Sequence, residues 1–280
     1  MTSTAYKKLA IPYFKEVFIA IDNVMKEVGA PYYLVGVNAI ALELLKKGIK
    51  PGRGTKDIDF AVMVSTIKEY ENIIDAMVDK GFNKVKAPWT LYHQEFNVAI
   101  DILPFGEIEE NDTISFNERY SDLHVLGFKE ILENATNINI DEITVEVPPI
   151  PGMVILKLVA WSDRPEERDN DLSDIIRIIK HYFDYEWDTI IDNHFDLFAE
   201  EPIDRLKIAS RVLGRQAKKY MDKSSRLKQR ILETLEANLG DVERSEIAKE
   251  WTRRGNLEEK NSNLEYSFQL LSEFEKGLRE

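Results

Sequence analysis

Strand-like sequence in this chain ends at one place, the run Val147-Pro-Pro-Ile-Pro-Gly152. Proline lacks the amide a strand ladder needs and pushes the residue before it out of the helical region, so such a cluster terminates elements and marks a boundary. Before it, short apolar segments alternate with helical periods. After it, nearly every segment repeats at three and four residues, through 154–161, 166–183 and 204–220, with no strong strand pattern. This predicts an α+β domain with a mixed sheet over 1–150, followed by an α-helical domain over 151–280.

Within the first half, residues 6–29 carry apolar positions at helical spacing and end at Gly29-Ala-Pro31. Tyr32-Tyr-Leu-Val-Gly36 then reads as a short strand and tight turn, with Asn38 capping a helix that runs to Gly48. From Thr55 to Met63 the apolar Ile58, Phe60 and Val62 alternate with Asp57 and Asp59, the mark of a strand displaying two carboxylates. A helix over 66–80 and extended pieces near 83–86 and 89–94 precede a further strand, 96–104, in which Asp101 alternates with Ile100 and Ile102. Residues 111–150 read as β-rich with a short helix near 129–134.

Composition narrows the function classes. Of 280 residues, 44% are hydrophobic, which is enough for real cores and excludes a disordered chain. No apolar run approaches the ~18 residues of a membrane span, and the N-terminal segment lacks the apolar core of a secretory signal, so a cytoplasmic protein is expected. The absence of cysteine removes disulfides, thiolate zinc sites and cysteine nucleophiles together. A net charge of −13 argues against a surface coated with nucleic acid, although 204–230 holds ten basic residues against two acidic ones. That stretch fits either an RNA acceptor or a charged, exposed helix pair.

Two aspartates at i and i+2 of a strand share a face, with Cα atoms roughly 6.6–7 Å apart, so Asp57 and Asp59 can reach one divalent ion. Asp101 on a neighbouring strand can bridge a second ion roughly 3.5–4 Å from the first, an arrangement that steadies both attacking and leaving oxygens in phosphoryl displacement. Oxygen-only ligation selects Mg²⁺ or Mn²⁺. Backbone amides around Gly36 and the start of the next helix suit a triphosphate.

These segments carry a resemblance. Leu34-Val-Gly36-Val-Asn38-Ala, Arg53-Gly-Thr55-Lys-Asp57-Ile-Asp59-Phe and Asp101-Ile-Leu-Pro104-Phe-Gly106 resemble the polymerase β-like nucleotidyltransferase superfamily, and more narrowly its AbiEii-type bacterial branch. The chain departs from the superfamily at Val37, where Gly or Ser is expected. Pro151-Gly-Met-Val-Ile-Leu-Lys157-Leu-Val-Ala160-Trp-Ser-Asp-Arg164 and Arg168-Asp-Asn-Asp171-Leu-Ser-Asp174-Ile are similar to the helical Lys…Arg…Asp-x-x-Asp signature of that branch. The likeness spans roughly 31–183 and nothing beyond 184.

What the resemblance implies is a fold, a reaction and a residue set. The reaction is transfer of a nucleoside monophosphate from an NTP such as ATP to an acceptor hydroxyl. Asp57, Asp59 and Asp101 would hold the metal, Lys157 and Asp171 would join the active site, and Gly36, Val37, Asn38, Arg53, Thr55, Lys157 and Arg164 would line the nucleotide. Arg164 and Asp174 suit a structural pair between helices equally well. A toxin or phage-defence role, a tRNA acceptor and a cognate antitoxin are also implied. A small-molecule acceptor, as in antibiotic-modifying relatives, and an inactive nucleotide- or partner-binding module stay open. A nucleotide-sugar glycosyltransferase is disfavoured, since Asp101 and Lys157 would lack roles.

Other signals carry less. Gly52-Arg-Gly54 precedes a strand and lacks the Lys-Ser/Thr ending of a P-loop. Asp169 to Asp174 lacks the glycine and terminal glutamate of a calcium loop. The four histidines show no zinc spacing. Asp184, Asp188 and Asp192, four apart, read as a solvated acidic helix face.

Overall fold

The computed structural model describes residues 9, 11, 13–50, 55, 57–116, 121–199, 202–255 and 263–280. The chain divides into two compact units, Met1–Pro149 and Ile150–Glu280.

The first unit is built on a mixed sheet. Its strands are β1 (Tyr32–Val35), β2 (Asp57–Met63), β3 (Phe82–Lys84), β4 (Thr90–His93), β5 (Val98–Phe105), β8 (Thr136–Ile140) and β9 (Ile143–Val147), while β6 (Thr113–Phe116) and β7 (Ser121–His124) form a separate hairpin. The order across the sheet is β3-β4-β5-β2-β1-β9-β8. Strand β2 lies at the centre, antiparallel to β1 and parallel to β5. Its Ile58 and Phe60 are fully buried, and Phe60 meets Phe18 edge-on at 5.1 Å. Phe18 belongs to helix α1 (Phe14–Val28), so α1 covers the face opposite the one that carries Asp57 and Asp59.

Two helix starts differ from the sequence reading. Helix α1 begins at Phe14, because Tyr13 takes a left-handed backbone conformation (φ 56°) that a helix cannot propagate through, and residues 6–8 of the expected helix lie outside the described residues. Helix α2 (Gly36–Lys46) starts at Gly36 with Val35 as its cap, so Asn38 is not the capping residue and sits inside the first turn. Helices α3 (Ile67–Asp79) and α4 (Phe128–Leu132) complete this unit. Thr66 caps α3 by accepting from the Glu69 amide, and the Glu69 carboxylate reaches one residue past the cap to accept from the Ser65 amide at 2.7 Å.

The second unit is helical: α5 (Ile150–Asp163), α6 (Asp169–Tyr185), α7 (Trp187–Asn193), α8 (Arg205–Met221), α9 (Ser225–Leu239), α10 (Glu246–Arg254) and α11 (Leu264–Arg279). Helix α5 is apolar nearly all round and buried along most of its length, as such a pattern requires. Helices α8 and α11 touch backbone to backbone at Gly214 and Gly277, where any side chain would strike the other helix.

Asp184, Asp188 and Asp192 do not share one helix face. Helix α6 ends at Tyr185 and α7 starts at Trp187, so Asp184 sits on one helix while Asp188 and Asp192, one turn apart, sit on the next. The basic stretch is largely occupied with internal pairing. Arg205 pairs with Asp184, Arg211 with Glu273 and Glu280, Arg215 with Asp196 and Glu280, Lys228 with Asp222, and Arg230 with Asp163. At least five of its ten cations are thus engaged in pairs within this unit. No helix among the described residues is long and apolar enough to cross a membrane.

Candidate active site

The register between β2 and β5 decides the geometry of the carboxylates. Asp59 pairs directly with Asp101 across the parallel ladder, and Asp57 pairs with Ala99. Paired residues on adjacent strands send their side chains to the same face at a strand spacing of about 4.8 Å, so Asp57, Asp59 and Asp101 share one face of the sheet. On the other side of β2, Asp59 pairs with Val35, which places the β1–α2 turn beside it. Gly36 occupies that turn with φ 68°, and a Cβ added there would overlap the Asp59 carboxylate. The absence of a side chain is therefore what lets the turn lie against Asp59.

Replacing Gly36 with Ala is expected to cost about 1–2 kcal/mol from the left-handed backbone alone. It should also displace the Asp59 carboxylate. The check is a thermal melt alongside an activity assay, with activity falling further than the stability loss explains.

The remaining neighbours are polar. The Thr90 hydroxyl, on β4 and in register with Asp101, donates to Asp101 Oδ1 at 2.6 Å. The Thr55 hydroxyl donates to Asp57 Oδ1. The Asn38 side-chain amide donates to the Asp57 carbonyl oxygen at 2.9 Å, and Asn38 is buried. That donor serves to lock α2 onto β2. Val37 is buried too, and Arg53, Gly52 and Gly54 lie outside the described residues. Tyr70 of α3 donates to the Ile102 carbonyl at 3.0 Å, and burial, aided by the nearby charge of Asp101, pushes its phenol far above the usual range.

The donor set suits a hard divalent cation: three carboxylates on one face, with hydroxyls beside two of them and no sulfur. Among the described residues, no three such side chains close into a cage. Asp57 and Asp101 lean instead on Thr55 and Thr90, which is how neighbouring like charges settle when hydroxyl donors are at hand. Two clefts, of about 700 Å³ in the first unit and about 1240 Å³ in the second, lie elsewhere and are not lined by Asp57, Asp59 or Asp101.

No family model and no curated protein sequence matches the chain. Among solved structures it is similar to an antigenic nucleotidyltransferase-like protein from Paracoccidioides brasiliensis, at 18% identity and a TM-score of 0.37, over 75% of this chain and 90% of that one.

In the second unit, Lys157 is buried on α5 between two carboxylates of α6. Its ammonium lies 2.7 Å from Asp171 Oδ1 and 2.8 Å from Asp174 Oδ2. Positions 171 and 174 lie one helical turn apart, so both reach the same point on α5. Burial pulls the Lys157 pKa down, but the two aspartates outweigh it and hold the lysine well above its usual range. Asp171 Oδ2 is buried without a hydrogen-bond partner, with the Arg168 guanidinium 3.7 Å away. Arg164 lies 3.8 Å from Glu167, an exposed pair three residues apart, and Asp174 pairs with Lys157. Sequence reasoning missed Thr90 and Tyr70 altogether. A threonine in a four-residue strand gives no signal until the strand's partner is known.

Proposed function

We propose that this chain is a nucleotidyltransferase that moves a nucleoside monophosphate from an NTP to an acceptor hydroxyl with the help of Mg²⁺ or Mn²⁺. The observation that carries this reading is the direct pairing of Asp59 with Asp101, with Asp57 on the same face and the Gly36 turn against Asp59. Three clustered carboxylates repel one another, and a pair of hard cations is the species that turns that repulsion into attraction. When bound, the metal supplies charge neutralisation at the α-phosphate and orients it.

The chain's own residues do the rest. Asp57, Asp59 and Asp101 would hold the cations, and the backbone amides at the start of α2 would receive the phosphates. Asp101 takes the proton of the attacking hydroxyl as the new phosphorus–oxygen bond forms and the bond to pyrophosphate breaks. Lys157 and Asp171 enter this reading through the sequence resemblance, as does lining of the nucleotide by Val37, Asn38, Arg53, Thr55 and Arg164. The two commitments seen for Lys157 leave it best suited to steadying Asp171. A tRNA acceptor, a small-molecule acceptor and restraint by a cognate antitoxin rest on the same resemblance.

The test is incubation of the full chain with each α-labelled NTP, Mg²⁺ and total RNA, followed by separation of RNA, protein and small molecules. Label on RNA supports a polynucleotide acceptor, and label on a small molecule supports the antibiotic-type alternative. Tight NTP binding without transfer to any fraction would replace the enzyme with a nucleotide-binding module.

A further inference from the structure

The row of carboxylates is held at both ends by threonine: Thr55 lies two residues ahead of Asp57 on the same segment, whereas Thr90 comes from a different strand than Asp101. Thr90 lies on β4, opposite Asp101 in the antiparallel β4–β5 ladder. Its hydroxyl approaches Asp101 Oδ1 to 2.6 Å, within the range of a charge-assisted O–H···O⁻ bond. An ionised carboxylate only accepts, so Thr90 is the donor. The backbone around it is pinned as well, since Ile102 donates to the Trp89 carbonyl at 2.8 Å and Thr90 to the Ala87 carbonyl at 3.2 Å.

We infer that Thr90 is a positioning residue for metal binding. It anchors one oxygen of Asp101, which sets the plane of the carboxylate and keeps it from rotating away from the like charge of Asp59. It acts through Asp101 and touches neither nucleotide nor acceptor. Residues that orient metal ligands in this way typically change affinity or activity by about 10–100-fold when removed. This inference rests on the metal-dependent reading above.

The experiment compares Thr90→Val, Thr90→Ser and Asp101→Asn with the wild-type chain, measuring Mn²⁺ affinity by calorimetry, kcat and KM for NTP, and melting temperature. Valine keeps the branched shape the strand wants and deletes only the hydroxyl. Thr90→Val should weaken Mn²⁺ about tenfold and lower kcat similarly with KM for NTP unchanged. Thr90→Ser should restore both. Mn²⁺ affinity in Thr90→Val equal to wild type overturns the inference, and so does a Thr90→Ser variant as defective as Thr90→Val. A wild-type chain that binds no Mn²⁺, or an Asp101→Asn variant that binds it normally, instead removes the metal site itself, and the role of Thr90 goes with it.

Discussion

Asp59→Asn should abolish nucleotide transfer while leaving the fold as stable as before or slightly more so. Asp59 stands at the centre of the proposed site, paired with Asp101 on one side and with Val35 on the other, and pressed against Gly36. Asparagine keeps the shape but removes the charge, and a ligand of a catalytic metal is worth several kcal/mol in the transition state. Losing about 3–5 kcal/mol corresponds to a fall of roughly two to four orders of magnitude in kcat. Stability should move the other way. Like charges directly opposite each other in a sheet are destabilising by about 0.2–1 kcal/mol, and the substitution relieves one such pair. Transfer assays beside urea melts provide the check, and activity within tenfold of wild type would remove Asp59 from the metal site.

The second large effect is expected in the helical unit. Lys157→Met should destabilise α5 and α6 by about 3–5 kcal/mol, because it leaves Asp171 and Asp174 buried together without their cation. Methionine fills a similar volume, so lost packing contributes little. Asp174→Asn should cost less, since Lys157 and Asp171 remain a balanced pair. Hydrogen exchange of the α5 and α6 amides gives the local loss for each variant, and equal losses would mean that charge balance is not what matters.

The pH dependence follows from the direction of the Lys157 shift. Its folded pKa is raised above the unfolded value of about 10.4, so its contribution is fully present below that value and is lost only as pH climbs through the folded one. The gap between wild type and Lys157→Met should therefore stay flat from neutral pH to about pH 10 and narrow above it.

Much of the sheet can be read from local pattern, because a period of two needs no partner to be recognised. The alternation around Asp57 and Asp59 marks their shared face, and burial of Ile58 and Phe60 on the opposite face leaves that one for the carboxylates. The start of α2 was misread for an equally local reason. Asn38 has the chemistry of a cap, but its amide finds the carbonyl of Asp57, nineteen residues away, and the helix starts two residues earlier. The break between α6 and α7 likewise escapes a reading based on spacing, since Asp184 keeps a four-residue interval to Asp188 although the first lies on α6 and the second, with Asp192, on α7.

By itself, the sequence determined the change from alternating to helical periodicity at the proline cluster, the carboxylates at i and i+2, and the absence of any thiolate ligand. Each is a property of neighbours along the chain. Only the tertiary structure decided that Asp101 stands beside Asp59 rather than Asp57, that Thr90 reaches Asp101, and that Lys157 is claimed by two aspartates at once. Those outcomes depend on strand register and on which helix faces meet. A shift of one residue in the ladder would send Asp101 to the opposite face with no change in the local pattern.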